Sequence, residues 1–262
     1  MLGLPGSPAR TPLLAVLAAL VLAGVAGAAY GTWYLFFRPS GPPAVALSSL
    51  TAPSATSASA SPSGSSSTPV ATEAAGDAGI AETWTVDTSL GSFADFTDSF
   101  VGYRVQEQLA TIGAHTAVGR TPDVSGTLTI EGTTVTSVEI TANLASLQSD
   151  DDRRDGQLRR QAIETDLFPT ATFSLTTPIE LGSTPTEGQT IHVEASGNLA
   201  LHGVTRTVTI PLDARLSGGV ITVTGSLPIV FGDYGIAKPT SFIVLSVADG
   251  GTMKLQLLFT RT

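Results

Sequence analysis

The stretch that decides the fold is TVTIPLDARL, at residues 207–216. Its apolar side chains, at positions 208, 210, 212, 214 and 216, alternate with Thr, Pro, Asp and Arg. A period of two is typical of a β-strand that buries one face and exposes the other. The same alternation recurs in SVEITANL at residues 137–144 and in MKLQLLFT at residues 253–260. The pattern predicts an all-β domain of antiparallel strands.

Further strand candidates surround these three segments, and short glycine-containing sequences separate them. The candidates lie at residues 83–86, 100–109, 124–130, 171–179, 190–201, 220–231 and 241–247. The turn signals are Glu131-Gly132, His202-Gly203, Ser217-Gly218-Gly219 and Asp249-Gly250-Gly251. Long strands joined by tight turns are typical of an up-and-down barrel or a sandwich. We expect the barrel, which with about eight strands is either filled by its own side chains or holds one ligand.

One short helix is predicted within this domain. Ser149 can cap its N-terminus, and the acidic run Asp150–Asp152 complements the positive end of the helix dipole. The helix should stop near residues 166–168, because the residue before Pro169 is disfavoured in helical geometry.

An uncharged apolar segment lies near the N-terminus, after a short tail at residues 1–12. Residues 13–37 would form a helix of about 37 Å at ~1.5 Å per residue, long enough to cross a bilayer core of ~30 Å. Aromatic residues gather at its end: Tyr30, Trp33, Tyr34, Phe36 and Phe37. We expect an uncleaved signal anchor with the rest of the chain outside the cell membrane. The alternatives are a signal peptide cleaved after Ala26-Gly27-Ala28 and a buried core helix.

Residues 38–81 have the composition of a linker. Ser, Ala, Pro, Thr and Gly dominate, so the segment has too few large apolar side chains to offset the entropy lost on ordering. We expect it to be disordered and to connect the membrane helix to a domain at residues 82–262.

Composition excludes several classes of function. The chain has no Cys, which excludes disulfides, thiolate metal sites and a thiol nucleophile. The net charge of −9 argues against a nucleic-acid partner, which needs clustered Lys and Arg. The three histidines, His115, His192 and His202, lack the spacing of a metal site, so we expect no metal and no cofactor. Without a nucleophile or phosphate-binding motif, we expect no enzyme activity.

The domain resembles a known family in a series of short motifs that follow one another in the expected order. They are WTVD at residues 84–87, VGYRVQE at 101–107, AVGRT at 117–121, RD at 154–155, FPTATF at 168–173, GNLALHGVT at 197–205 and FGDYGI at 231–236. Residues 82–262 are thereby similar to the YceI-like family of bacterial lipid-binding proteins, in the form common in actinobacteria. The resemblance implies a lipocalin-like antiparallel β-barrel with a long apolar cavity. It also implies a polyisoprenoid or isoprenoid-quinone ligand.

Several inward candidates on the strands are small, which would leave apolar room inside the barrel. They are Ala142, Ala171, Ala195, Gly197 and Ala214. Apolar room suits an apolar guest, although ordinary packing is the other reading of these residues. The expected cavity wall comprises Val101, Tyr103, Val105, Phe173, Leu175, Leu199, Leu201, Leu227, Ile229, Phe231 and Phe242.

Polar and aromatic residues around this wall suggest further contacts. Arg154 and Asp155 could meet a ligand headgroup or form a fixed ion pair on the helix. Glu107 shares the apolar face of its strand, and Arg120 is its plausible partner. The spacing of Phe93, Phe96 and Phe100 predicts either a turn whose rings touch the lipid at the barrel mouth or a loop that plugs one end.

Two functions from different classes remain. The first is a membrane-tethered, extracytoplasmic protein that binds an isoprenoid lipid or quinone in its barrel. The second is an external structural or adhesive β-domain with a filled core and no ligand.

Overall fold

Twelve β-strands dominate the computed structural model, which describes residues 80–111, 113–239, 242 and 244–262. Every strand pairing is antiparallel. The strands are β1 Thr83–Val86, β2 Phe100–Leu109, β3 Gly113–Thr121, β4 Val124–Glu131, β5 Thr134–Asn143, β6 Gln148–Ser149, β7 Thr170–Leu175, β8 Ile179–Glu180, β9 Thr190–Leu201, β10 Val204–Ser217, β11 Val220–Val230 and β12 Val244–Arg261. The all-β prediction is confirmed.

Eight of these strands close into a barrel. Around the ring they run β1-β4-β5-β7-β9-β10-β11-β12, and β1 closes it by pairing with both β4 and β12. Strand β12 is long enough to pair with two partners on one side: its first part pairs with β2 and its last residues with β1. Strands β2, β3 and β6 therefore extend the sheet from the first part of β12, in that order.

A short helix follows β6. Helix α1 spans Asp152–Gln157 and continues as a wider π-helical turn over Leu158–Ala162. Its cap is Asp151, whose side chain accepts hydrogen bonds from the backbone N–H groups of Arg153 and Arg154. The predicted cap, Ser149, is instead the last residue of β6. The helical turns end well before Pro169, because the chain reverses at Glu164, whose φ is +50°.

The glycine pair in β12 is not the turn that the sequence predicted. Gly250 and Gly251 pair with Val230 and Ile229 of β11 inside the long strand. Between Val247 and Gly251 the register with β2 shifts, so the extra residues form an irregularity in the strand rather than a reversal. A side chain at Gly250 would collide with the Ile229 carbonyl oxygen, which explains the glycine there.

The barrel interior holds two apolar clusters, one toward each end. The first is centred on Trp84, Leu128 and Phe259, and the second on Phe173, Leu199 and Tyr234. Ile80 belongs to the first cluster, and its carbonyl accepts a hydrogen bond from the indole nitrogen of Trp84 at 3.1 Å. The packed domain therefore begins no later than Ile80, although this residue was predicted to belong to the linker.

The predicted membrane segment, residues 13–37, lies outside the described residues. So does the predicted linker, apart from its last two residues. Within the part of the chain that the structure describes, no helix is long and apolar enough to cross a bilayer.

Candidate functional site

The barrel interior contains two adjoining cavities, each of about 150 Å³. The first lies among β4, β5, β9, β10 and β11, with Leu128, Ile140, Leu212 and Val223 on its wall. The second lies between β2, β3 and the helix, with Val105, Ala117, Leu158 and Ile229 on its wall. Four residues line both cavities: Val101, Ala171, Leu199 and Met253. The two cavities therefore meet at a shared wall and together form an elongated apolar space.

Alanines on the inward faces of the strands leave the first cavity open. Ala142, Ala171, Ala195 and Ala214 all line it, as their small size suggested. Gly197 serves a different purpose, because a Cβ built there would lie 2.5 Å from the Phe173 ring. The absence of a side chain at Gly197 makes room for Phe173 and not for a ligand.

Eight of the eleven residues expected on the cavity wall line at least one of the two cavities. They are Val101, Tyr103, Val105, Phe173, Leu199, Leu201, Ile229 and Phe231. Leu175 and Leu227 pack into the apolar clusters without lining either cavity. The expectation that Phe242 lies on the cavity wall was wrong. Its side chain is fully exposed, because it lies in the connection before β12.

A cluster of charged side chains lies at one end of the second cavity. Glu107 is on the inward face of β2, and its Oε1 lies 3.0 Å from Nη2 of Arg154 and 3.0 Å from Nδ1 of His115. Arg154 also contacts Asp150, with Nη1 and Oδ1 2.6 Å apart. Glu107 and Arg154 line the cavity, and their side chains are largely buried.

The electrostatics of this cluster favour a charged Arg154. Burial by itself disfavours the guanidinium charge, but the Glu107 and Asp150 carboxylates outweigh it, and the pKa of Arg154 is raised. The predicted partner of Glu107 was Arg120, and this is wrong, because Arg120 lies on the opposite face of the β2–β3 sheet.

Tyr103 lies beside the charged cluster on the same face of β2. Its hydroxyl is buried and has no hydrogen-bond partner among the described residues. Burial raises the pKa of Tyr103 far above its usual value, so the hydroxyl stays protonated and can donate. The ring lies across Gly119 of β3, where a Cβ would come within 2.5 Å of the ring carbon Cε1.

Asp155, the second predicted headgroup contact, lines neither cavity. It is buried, and its carboxylate accepts hydrogen bonds from the Ser149 N–H at 3.0 Å and the Ser149 hydroxyl at 2.6 Å. These bonds tie helix α1 to β6. The structure therefore places Asp155 in a supporting role and Arg154 at the cavity.

The predicted aromatic plug lies on the outside of the barrel. The Arg120 guanidinium carbon is 4.0 Å from the ring centre of Phe93, 3.6 Å from that of Phe96 and 5.4 Å from that of Phe100. Because Arg120 alternates with the inward-facing Gly119, this cluster covers the outer face of β2 and β3. Cation–π contacts thus fix the loop between β1 and β2 against the barrel wall.

His202 joins three segments near the second apolar cluster. It lies in the turn between β9 and β10, where its φ is +51°. Its Nδ1 lies 2.9 Å from the Tyr234 carbonyl oxygen, and its Nε2 lies 3.1 Å from Oε2 of Glu164.

No group of His, Cys, Asp or Glu in the described part of the chain is arranged to hold a metal ion.

Two residues of the site, Met253 and His115, were not predicted from the sequence. Met253 lines both cavities, and the alternation of MKLQLLFT placed it on the apolar face with Leu255 and Leu257. His115 was harder to find, because β3 as a whole was not among the predicted strands.

This chain is similar to three solved structures. A polyisoprenoid binding domain from Saccharophagus degradans, implicated in plant cell wall breakdown, has 19% identity and a TM-score of 0.52, covering 69% of this chain and 98% of that one. BcnA from Burkholderia cenocepacia has 22% identity and a TM-score of 0.49, covering 66% and 98%. The Campylobacter jejuni YceI protein has 18% identity and a TM-score of 0.44, covering 53% and 82%.

A search of the curated proteins found no match. The family model for the YceI-like domain matches residues 84–259, which is most of the chain and nearly all of the barrel. This chain therefore belongs to the YceI-like family.

Proposed function

We propose that the barrel binds a linear polyisoprenoid chain whose tail occupies both cavities. The observation that carries the proposal is the pair of apolar cavities meeting at Val101, Ala171, Leu199 and Met253. An elongated apolar space fits a chain better than a compact ligand. Burying several hundred Å² of tail at ~25 cal/mol per Å² would contribute several kcal/mol before the costs of association. The polyisoprenoid-binding domain from Saccharophagus degradans, with the same fold, supports this class of ligand.

The proposed role is binding and not catalysis. Among the described residues that line the two cavities there is no Ser, Cys, His or Asp. Glu107 and Arg154, at the end of the second cavity, are paired with each other. The polar groups in contact with a ligand would therefore orient it rather than react with it.

The test is an organic extract of the purified full chain, read by mass spectrometry. Ala171→Phe places a ring where the cavities meet, and we expect it to remove most of the copurified polyprenyl lipid. Ala200→Phe is the matched control, because Ala200 is on the same sheet but lines neither cavity. Wild type and Ala200→Phe should both carry the lipid. A wild-type protein free of lipid would favour the external structural or adhesive domain instead.

We also propose that residues 13–37 anchor the chain in the cell membrane and that the barrel is extracytoplasmic. The support is the apolar run with aromatic residues at its end. A flexible linker of this length would have an end-to-end distance of about 35–40 Å, which keeps the barrel near the membrane surface.

Protease added to intact, wall-stripped cells should cut the linker and release the barrel. Protection of the barrel would contradict the proposed orientation. A mature chain that begins near Ala29 would contradict the anchor and favour a cleaved signal peptide.

A further inference from the structure

We infer that the barrel docks on the lipid bilayer with one particular end, the end formed by the β9–β10 turn, the end of β11 and the start of β12. We call it the mouth end. The inference rests on the proposed membrane anchor and is independent of which ligand the barrel holds. It adds the face that meets the bilayer, which a tether alone does not specify.

Large apolar side chains are exposed at the mouth end and nowhere else on the described part of the barrel. Leu167 is 69% exposed, Leu245 66% and Val230 54%, and Val204 and Phe242 are exposed as well. Val204 begins β10, Val230 ends β11 and Leu245 lies at the start of β12. Exposed apolar residues that are gathered at one end, rather than scattered singly, are typical of an interaction surface.

Leu167 belongs to this group although its segment is distant along the chain. The ring of the next residue, Phe168, lies 4.4 Å from the His202 ring, measured between ring centres. A Cβ on Gly203 would come within 2.6 Å of the same phenyl ring. Leu167 and Val204 therefore each lie one residue from the contact that joins the connection before β7 to the β9–β10 turn.

The second cavity reaches the surface at the mouth end. Ala237 and Pro239 line it from the connection between β11 and β12, and Ala237 is exposed. Val247, two residues after Leu245, lines the same cavity. With this opening against the bilayer, an apolar ligand could pass between lipid and cavity without being exposed to water.

Most of the acidic side chains at the mouth end are paired with a basic one. Three carboxylates lie within 3.5 Å of such a partner, and the pairs are Asp249 with Lys238, Asp233 with Arg206 and Glu164 with His202. Asp166, beside Leu167, is exposed. Most of the 22 acidic residues that give the chain its net charge of −9 lie elsewhere. A bilayer that contains anionic lipid would therefore repel the rest of the barrel more than this end.

The length of the predicted linker allows this orientation. The described chain begins at Ile80, which lines the first cavity at the other end of the barrel. Strand β10 connects the two ends, and its 14 residues span about 45 Å at ~3.3 Å per residue. Residues 38–79 could reach about 140 Å if extended, and a flexible chain of that length would average about 35–40 Å between its ends. The barrel could therefore turn its mouth end to the bilayer, whereas a linker of a few residues would hold the Ile80 end there.

The experiment uses the full chain, reconstituted through its anchor into vesicles of equimolar phosphatidylcholine and phosphatidylglycerol. Because the chain has no Cys, one introduced Cys can carry one polarity-sensitive fluorophore. Thr205→Cys places it beside Val204 at the mouth end, and Ser183→Cys places it in the loop between β8 and β9 at the other end; both positions are exposed. With spin-labelled lipid in the bilayer, we expect the fluorophore at position 205 to shift its emission to the blue and lose most of its intensity. The fluorophore at position 183 should keep both.

A double variant tests the apolar side chains. Leu167→Asp combined with Val230→Asp adds two charges to the mouth end and should abolish the quenching at position 205. Both side chains are more than half exposed, so the substitutions remove little packing. The matched control is Ser183→Asp combined with Thr184→Asp, which adds the same charge at exposed positions of the other end and should leave the quenching unchanged. Circular dichroism checks that both double variants are folded, and the comparison of positions 205 and 183 does not depend on them.

The outcomes separate docking from anchoring. Quenching at position 205 that is no stronger than at position 183 would overturn the inference while the anchor stands. Quenching that survives Leu167→Asp with Val230→Asp would also overturn it, because the apolar side chains would then not make the contact. An alkaline carbonate wash of the vesicles tests the anchor separately, since it removes proteins that are held only at the surface. A chain that washes off would contradict the proposed anchor and the inference that rests on it.

Discussion

Tyr103 and Gly119 form a cross-strand pair in which the small residue fixes the large one. A Cβ at Gly119 would lie 2.5–2.7 Å from three atoms of the Tyr103 side chain, so Gly119→Ala must displace the ring. We expect a loss of ~1–3 kcal/mol in the free energy of unfolding, as for other overpacked sites. Urea denaturation of the full chain measures it. Gly232→Ala, where a Cβ meets nothing within 4 Å, is the control and should fall within about 0.5 kcal/mol of wild type.

The partners of individual residues were the hardest feature to predict. Alternation along β2 correctly placed Glu107 on the same face as Tyr103, because the face of a residue depends only on its position along its own strand. Its partners, His115 and Arg154, come from β3 and helix α1. Strand β3, Gly113–Thr121, has too few large apolar residues to show a period of two, so the face of Arg120 could not be assigned from sequence.

A buried carboxylate ties helix α1 to strand β6. Asp155 accepts two hydrogen bonds from Ser149 of β6, which itself pairs with Gly119 of β3. Asp155→Ala leaves these donors without their partner, so we expect the free energy of unfolding to fall by ~1–3 kcal/mol. Hydrogen exchange should also quicken at residues 152–162, where the helix would loosen.

A neighbouring carboxylate provides the control for this prediction. Asp152 belongs to the same first turn of α1 but is exposed. Asp152→Ala should lose only its interaction with the helix dipole, which is below about 1 kcal/mol. Equal losses at the two positions would mean that helix propensity, and not the bond to Ser149, accounts for the effect.

The ends of the strands were predicted well where the chain makes a tight turn. They were predicted poorly where pairing with neighbouring strands continues through a sequence that resembles a turn. His202-Gly203 and Ser217-Gly218-Gly219 lie in or beside the tight turns that the sequence indicated. Asp249-Gly250-Gly251 carries the same kind of signal, yet it lies within β12, because β11 pairs with that strand on one side and β2 on the other. Ile80 shows the same effect at the domain boundary: its contact with Trp84 depends on the closed barrel and is invisible in a linker-like composition.

Whether the barrel interior is open is a property of the whole molecule, and it can be tested with two kinds of inward substitution. Ala142→Phe and Ala214→Phe each add a ring to the first cavity, which has about 150 Å³ of space. Gly197→Ala adds one carbon where the space is already filled, because its Cβ would lie 2.4 Å from the Ser174 carbonyl oxygen and 2.5 Å from the Phe173 ring. If the cavity is open, the two large substitutions should therefore lower the free energy of unfolding less than the single methyl group does, which is the reverse of the usual order.

The single methyl group at Gly197 should lower the free energy of unfolding of the lipid-free protein by ~1–3 kcal/mol, and the two rings should lower it by less. Urea denaturation of the delipidated chain compares the three variants directly. In a filled core the two rings would lower the free energy of unfolding more than the methyl group does, because close-packed side chains could not move far enough to accept them. That order would leave no room for a prenyl tail, and the YceI-like barrel of this chain would then have to act through its outer surface.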